Sequence, residues 1–319
     1  PHARVNVLVT GGAGFIGSHL CEALAARGDR VTAVDDLSTG VADNVPADVE
    51  LVETDVADPG ALARAFDGRS FDAVLHVAGQ ASIATSFANP GRDLRTNVVG
   101  TLNVIESCLA AGVPRLVYAS SMTVYGEPDV VPTPEGALCR PVSYYGVTKY
   151  AAERYVHVAG ARTDVSLSVT SLRMFNVYGE RQSLSNPYQG VLAIFIGNVL
   201  RGEPITIHSD GRQTRDFVYV ADAVDAWLRV LDAPETAGAV FNVGSGRETP
   251  ISELATAVVR GFGESPETWE VRQGPAQEGD QRRAAADDAA LERATGWRPA
   301  TSLDDGMART IAWARTERR

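Results

Sequence analysis

The stretch Thr10-Gly11-Gly12-Ala13-Gly14-Phe15-Ile16-Gly17 restricts the fold more than any other part of the chain. It follows an apolar run at residues 5–10 and opens a helical pattern at residues 15–27. Gly11, Gly14 and Gly17, with Phe15 and Ile16 between the last two, leave bare backbone at the positive end of that helix, where it can approach a pyrophosphate. A second apolar run, residues 30–35, ends at Asp35, whose carboxylate can accept hydrogen bonds from ribose hydroxyls. Together the glycines and the acid predict a dinucleotide site. Asp36 and Leu37 come next, with no arginine to neutralise a 2′-phosphate, so the expected cofactor is NAD rather than NADP.

Further short runs rich in Val and Leu occupy residues 49–53, 72–76, 115–120 and 165–172, as buried parallel strands should. Helical spacing at residues 59–66, 94–111 and 144–159 separates most of them, with Asp58 ahead of Pro59 as a cap and first-turn proline. This βα alternation predicts an α/β fold with a doubly wound parallel sheet, which holds its ligand at the strand ends. Asp55 and Val56 follow the third strand there, and Ala78-Gly79-Gln80 the fourth.

After about residue 173 the pattern changes to longer loops, with turn signals at Asn186-Pro187 and Asp210-Gly211 and helices at 191–200 and 251–262. Residues 1–173 therefore read as the dinucleotide-binding domain. Residues 174–319 read as mainly a smaller α/β substrate-binding portion, with 214–220 and 240–243 as strands able to return to the first sheet.

A chain of 319 residues with 45% hydrophobic content can bury one large core or two unequal ones. Its formal charge of −11 argues against nucleic acid as a partner. No run of eighteen uncharged apolar residues suggests a membrane span. Val5 opens the first apolar run without the basic flank and cleavage site of a signal peptide, so the expected location is cytoplasmic. Cys21, Cys108 and Cys139 match no metal-ligand spacing or disulfide framework, which predicts reduced filler and no metal.

Tyr145 and Lys149 stand four apart in a helical pattern, so both reach one face, and an ammonium near a phenol favours its ionised form. That arrangement suits a phenolate base, although a Tyr–Lys pair at this spacing also fits a solvated helix face. The fifth strand ends in Ser120-Ser121-Met122-Thr123, where a hydroxyl can share a proton with Tyr145 or simply cap the strand end.

These segments, with Val124-Tyr125-Gly126, Tyr145-Gly146-Val147-Thr148-Lys149 and Arg173-Met174-Phe175-Asn176-Val177-Tyr178-Gly179, resemble the extended short-chain dehydrogenase/reductase superfamily and, within it, the NAD-dependent epimerase/dehydratase family. The resemblance runs in order along nearly the whole chain. It implies a Rossmann-type fold, an isomerase acting at C-4 of a UDP-sugar, and a homodimer joined through the helices at 94–111 and 144–159. It also implies that Tyr145 removes the 4-hydroxyl proton, Lys149 tunes Tyr145 and holds the nicotinamide ribose, and Ser121 bridges phenol and sugar. Asn176, Arg215 and Arg282 fall where relatives hold the diphosphate. Many relatives begin the stretch Gln277-Glu278-Gly279-Asp280 with an arginine, which leaves Arg282 or Arg283 to take its place here.

Dehydrating relatives carry an Asp-Glu pair where this chain has Met122-Thr123, and decarboxylating relatives a glutamate, so epimerisation is the expected reaction. UDP-glucose/UDP-galactose is the first expectation for the sugar. UDP-glucuronate would need a partner for its carboxylate, such as Arg181, Ser183 or Ser185. UDP-GlcNAc would use the space that Ala284 leaves at C-2. An NAD-binding regulatory protein without catalysis is the alternative of another class, and such relatives typically lose the Tyr–Lys pair.

Overall fold

In the computed structural model, which describes residues 4–186 and 190–317, the first half alternates strand and helix. Strands β1 (Asn6–Thr10), β2 (Arg30–Asp35), β3 (Glu50–Glu53), β4 (Ala73–His76), β5 (Arg115–Ser121) and β6 (Ser168–Met174) are separated by helices. These are α1 (Phe15–Ala26), α2 (Pro59–Phe66), α3 (Ile83–Ala88), α4 (Pro90–Leu94), α5 (Gly100–Ala111) and α6 (Tyr144–Gly160). The second half holds β7 (Asn176–Tyr178), α7 (Val191–Arg201), β8 (Ile205–His208), β9 (Thr214–Arg215), β10 (Phe217–Tyr219) and α8 (Val220–Asp232). It continues through β11 (Val240–Val243), β12 (Thr249–Pro250), α9 (Ile251–Gly261), β13 (Val271–Gly274), α10 (Ala289–Thr295) and α11 (Leu303–Glu317).

Seven parallel strands form the main sheet in the order β11-β6-β5-β4-β1-β2-β3. The order reverses between β1 and β4, and the crevice beyond the strand ends at such a switch point is where open α/β sheets bind ligands. Side chains alternate across the sheet. Val7 and Val9 enter one apolar layer, which runs on through Leu20 to Phe195, Trp227 and Ile311. Leu8 enters the opposite layer, with Leu62, Ile105 and Val156. Both faces of the sheet are thus covered, as a parallel sheet requires.

Asp58 caps α2 by accepting from the Ala61 amide at 2.9 Å, and Pro59 fills the first turn, as the sequence indicates. Two expectations change. The helix expected at 94–111 begins earlier and contains a π-turn, Arg95–Val99, between α4 and α5. Its Asn97 side chain is bound to Gln80 and Thr148 outside the helix and to Asp93 one turn before it, at the widened turn. Residues 240–243 do return to the main sheet as β11, but 214–220 do not. There β9 pairs with β12, and β10 pairs with β7.

The cause is Asp216, wholly buried between β9 and β10, which accepts from Ser245 N and Oγ, Gly246 N and Ala286 N at 2.6–2.9 Å and so ties this segment to other loops. Of the expected turn at Asn186-Pro187, Pro187 lies outside the described residues. Among the described residues no helix is long and apolar enough to cross a membrane.

Candidate active site

The glycine turn lies where β1 meets β4. Gly11 has φ +69°, and a Cβ there would lie 2.8 Å from the Ala78 amide nitrogen, while one at Gly17 would collide with the Gly11 carbonyl. Gly14 differs: a Cβ there would meet only the Gly11 oxygen, at 3.2 Å, and would otherwise project into open space. Gly14 is also the N-cap of α1 and offers no side-chain cap, with no acid in the first turn. The first-turn amides, through Phe15, Ile16 and Gly17, are therefore available to an anion.

Asp35 is buried at the end of β2, where its carboxylate accepts from the amides of Ala13 (3.0 Å) and Leu37 (2.9 Å). Burial raises its pKa, and those two amides oppose the rise. Asp36 turns outward and closes its own loop by accepting from Ser38 N and Oγ. Asp55 accepts from the Ala57 amide at 2.8 Å, and Val56 is buried beside Gly100. At the end of β4, Ala78 N donates to Thr10 O, and Gln80 Nε2 donates to Asp93 Oδ1 at 2.6 Å.

At the next strand end the residues expected to react converge. Ser143 caps α6 by accepting from the Gly146 amide at 3.0 Å. Gly146 lets the helix press against the loop after β5, since a Cβ there would lie 2.7 Å from the Thr123 oxygen. This contact seats Tyr145 beside Ser121. Burial pushes the Tyr145 phenol up to about 12, a hydrogen bond from Ser121 opposes that, and Asp93 adds to it. Ser121 Oγ in turn accepts from Thr123 Oγ1 at 2.9 Å. Lys149 is buried with Nζ 4.5 Å from the centroid of the Tyr118 ring, and burial pulls its pKa down to about 8.

The substrate side is less open than the sequence suggests. Asn176 has a buried side-chain oxygen with no hydrogen-bond partner, an orphan that a ligand donor would satisfy. Arg215 is buried, and it pairs with Asp280 rather than Asp216, with a further bond to the Gln281 carbonyl at 2.8 Å. Arg282 is exposed and held by both oxygens of Asp210 (2.6 and 2.9 Å), and Arg283 is held by Glu248. Ala284 and Met122 pack together in a small buried cluster with Tyr125 and Phe175. Gln277 lines a cleft of about 280 Å³ with Glu278, Asp280, Ile83, Ala84 and Phe87. Arg181 reaches back to α1, where it meets Glu22 at 2.6 Å and Ser18 at 3.4 Å.

Two buried polar groups escaped the sequence reading. Glu153 binds Arg173 (2.6 Å) and Ser120 (2.6 Å) beneath the strand end, and Asp93 with Asn97 lies behind Lys149. The signal for Glu153 was available, because it stands four residues after Lys149 on the same helix face. Asp93 precedes the π-turn, and helical periodicity offers no reason to aim it at α6.

The sequence profile of the NAD dependent epimerase/dehydratase family matches residues 7–244. The UDP-glucose 4-epimerase of Mycolicibacterium smegmatis is 37% identical to this chain, over 98% of it and 99% of the relative. Among solved structures, the UDP-glucose 4-epimerase of Thermotoga maritima, with UDP-glucose, superposes with a TM-score of 0.93 at 36% identity, covering 98% of this chain and 100% of that one. The Thermus thermophilus UDP-glucose 4-epimerase, in complex with NAD, superposes with a TM-score of 0.90 at 38% identity, covering 97% and 99%. Profile, relatives and structures span the glycine cradle and the Ser–Tyr–Lys cluster alike, and the chain belongs to the NAD-dependent epimerase/dehydratase family.

Proposed function

We propose that this protein is a NAD-dependent 4-epimerase of a UDP-sugar, with UDP-glucose/UDP-galactose as its pair. The observation that carries the reading is the seating of Tyr145 beside Ser121 and on the same helix as the buried Lys149, at the ligand edge of the sheet. The residues at the switch point suit NAD: Gly14 leaves room where a side chain would intrude, the first-turn amides of α1 lie at that room, and the Asp35 carboxylate, which ends β2, is of the kind that accepts from ribose hydroxyls. Bound there, NAD would supply a hydride acceptor and donor and a positive charge.

In this reading Tyr145, as phenolate, takes the proton of the sugar 4-hydroxyl, with Ser121 as the bridge. The C-4 hydrogen leaves as hydride, so a 4-keto sugar forms with atoms and charge in balance. After the sugar presents its other face, hydride returns to C-4 and Tyr145 gives its proton back to the oxygen. Lys149 lowers the cost of the phenolate that burial opposes. Asn176 and Arg215 serve the diphosphate, Arg215 exchanging Asp280 for phosphate oxygens, to which its fork is suited. Residues 1–173 then act mainly on the cofactor and 174–319 mainly on the sugar nucleotide.

UDP-glucuronate is less favoured, because Arg181 is engaged by Glu22 and Ser18. UDP-GlcNAc stays in contention through the small, buried Ala284. A homodimer is supported by exposed Tyr144, Val147, Tyr155 and Val158, which share one stripe of α6. Three unpaired cysteines suit a reducing cytoplasm.

The test is incubation with NAD and, separately, UDP-glucose, UDP-glucuronate and UDP-GlcNAc, with products resolved by chromatography and proton NMR. The expected result is the C-4 epimer of UDP-glucose without net NADH, and no product from Tyr145→Phe although it still binds NAD. Normal turnover by Tyr145→Phe would remove the assigned chemistry.

A further inference from the structure

Lys149 is the single lysine of the chain, every other one of its 29 basic Lys and Arg residues being arginine. A guanidinium stays protonated and spreads its charge over a planar fork, whereas an ammonium is compact and responds to burial by releasing its proton. Position 149 uses the second kind of cation, only 5% exposed. What keeps it charged is therefore a question about its neighbours.

Those neighbours come from every element packed around it. From β5 comes the face of Tyr118. From β4 comes His76, whose pKa burial lowers to about 3 and whose ring is hydrogen-bonded to Thr10 and Thr101, so it is neutral. From α6 comes Glu153, with Tyr145 one turn before Lys149 on the same helix, and from α4 comes Asp93. Glu153 is already balanced, because Arg173 binds both of its oxygens, at 2.6 and 3.0 Å.

Asp93 is not balanced in this way. It is wholly buried, and its donors are all neutral: Gln80 Nε2 at 2.6 Å, Thr148 Oγ1 at 2.6 Å and Asn97 Nδ2 at 3.2 Å. A buried carboxylate without a cation is costly, and the nearby cation is Lys149: a Cβ at Gly79 would lie 3.7 Å from Lys149 Nζ and 3.0 Å from Oδ1 of Asn97, whose amide binds Asp93, and the ammonium favours the ionised carboxylate. Its three donors come from the end of β4, the π-turn and α6, so the carboxylate is fixed relative to the helix that carries both Tyr145 and Lys149.

We propose that Asp93 is a positioning residue of this site, whose carboxylate, clasped by Gln80, Asn97 and Thr148, is the counter-charge that keeps Lys149 an ammonium beside Tyr145. This rests on the reading of Tyr145 and Lys149 as the reacting pair. Asp93 also opposes ionisation of Tyr145, but there it ranks behind burial and Ser121, whereas at Lys149 it is the leading influence against burial. The lysine titration separates the two effects, since only a change at the ammonium moves the lysine midpoint.

The single lysine makes the test direct. Protein grown on [ε-13C]lysine carries one lysine signal, which is titrated with NAD bound from about pH 6 to about pH 11, alongside turnover of UDP-glucose. The native midpoint is expected above neutrality. In Asp93→Asn it moves to lower pH, the alkaline limb of kcat moves with it, and turnover at about pH 8 falls about fivefold or more. A merely structural role would lower turnover equally at every pH and leave the lysine signal in place. If Asp93→Asn does not fold, Asp93→Ser, which retains an uncharged oxygen acceptor on the side chain, replaces it. An unmoved midpoint in the variant that folds, or a native midpoint below about pH 6, overturns the proposal. Turnover surviving in Tyr145→Phe would instead overturn the reading of the site, and the lysine titration would still judge Asp93.

Discussion

Replacing Gly146 with alanine tests whether the seating of α6 sets the rate. The added Cβ would stand 2.7 Å from the Thr123 carbonyl oxygen and 2.9 Å from Pro141 Cβ, both stiff neighbours. Comfortable contact begins near 3.4 Å, so the start of α6 must retreat by roughly 0.7 Å. Tyr145, the preceding residue, moves with it and away from Ser121. A displacement approaching 1 Å at a reacting centre costs about 100-fold in rate, equivalent to about 2.7 kcal/mol of barrier. Overpacking itself removes about 1–3 kcal/mol of stability, so the variant should fold at room temperature. The glycine cradle lies at the start of α1, well removed in sequence and held by different contacts, so NAD affinity should stay within about threefold. The assay pairs NMR-detected epimerisation with calorimetric titration of NAD. A folded Gly146→Ala protein with kcat within about twofold of native would refute the argument that this contact positions the tyrosine.

Lys149→Met should alter how stability depends on pH. Burial lowers the Lys149 pKa from 10.5 to about 8, so between those values the unfolded chain binds the extra proton and native stability rises with pH. Across that window the lysine accounts for roughly 3 kcal/mol as an upper figure. Urea unfolding of both proteins should show the native-minus-variant difference increasing from about pH 8 to about pH 10.5, and a flat or falling difference would contradict the burial. Val158→Asp, which charges the most exposed apolar residue of the α6 stripe, should convert a dimer to monomers in sedimentation velocity, and a variant that sediments as the native protein does would place the interface elsewhere.

The glycine turn, Asp35 and the Ser-to-Thr strand end were legible because their chemistry is local. A strand followed by bare backbone and a helix N-terminus identifies itself over a dozen residues, and so does a tyrosine four residues before a lysine. Strand β11 was legible from its apolar run, since a parallel strand is buried on both faces. The fate of residues 214–220 was not, because Phe217–Tyr219 is as apolar as a sheet strand and what ties this segment elsewhere is Asp216, whose donors come from Ser245, Gly246 and Ala286. The engagement of Arg215 by Asp280 and of Arg282 by Asp210 was hidden for the same reason, as neither acid adjoins its arginine.

By itself, then, the sequence determined the doubly wound class and the family, and it pointed to the glycine turn and the Tyr145–Lys149 pair as candidates, since each depends on backbone geometry and side-chain spacing within one strand–turn–helix unit. Only the tertiary structure decided which charges pair, Glu153 with Arg173 and Arg215 with Asp280, and which buried acid, Asp93, is left with neutral donors alone. Periodicity reports which face of a helix is buried. It carries no information about the residue, tens of positions away, that packing brings to that face, and a buried charge takes its properties from that neighbour.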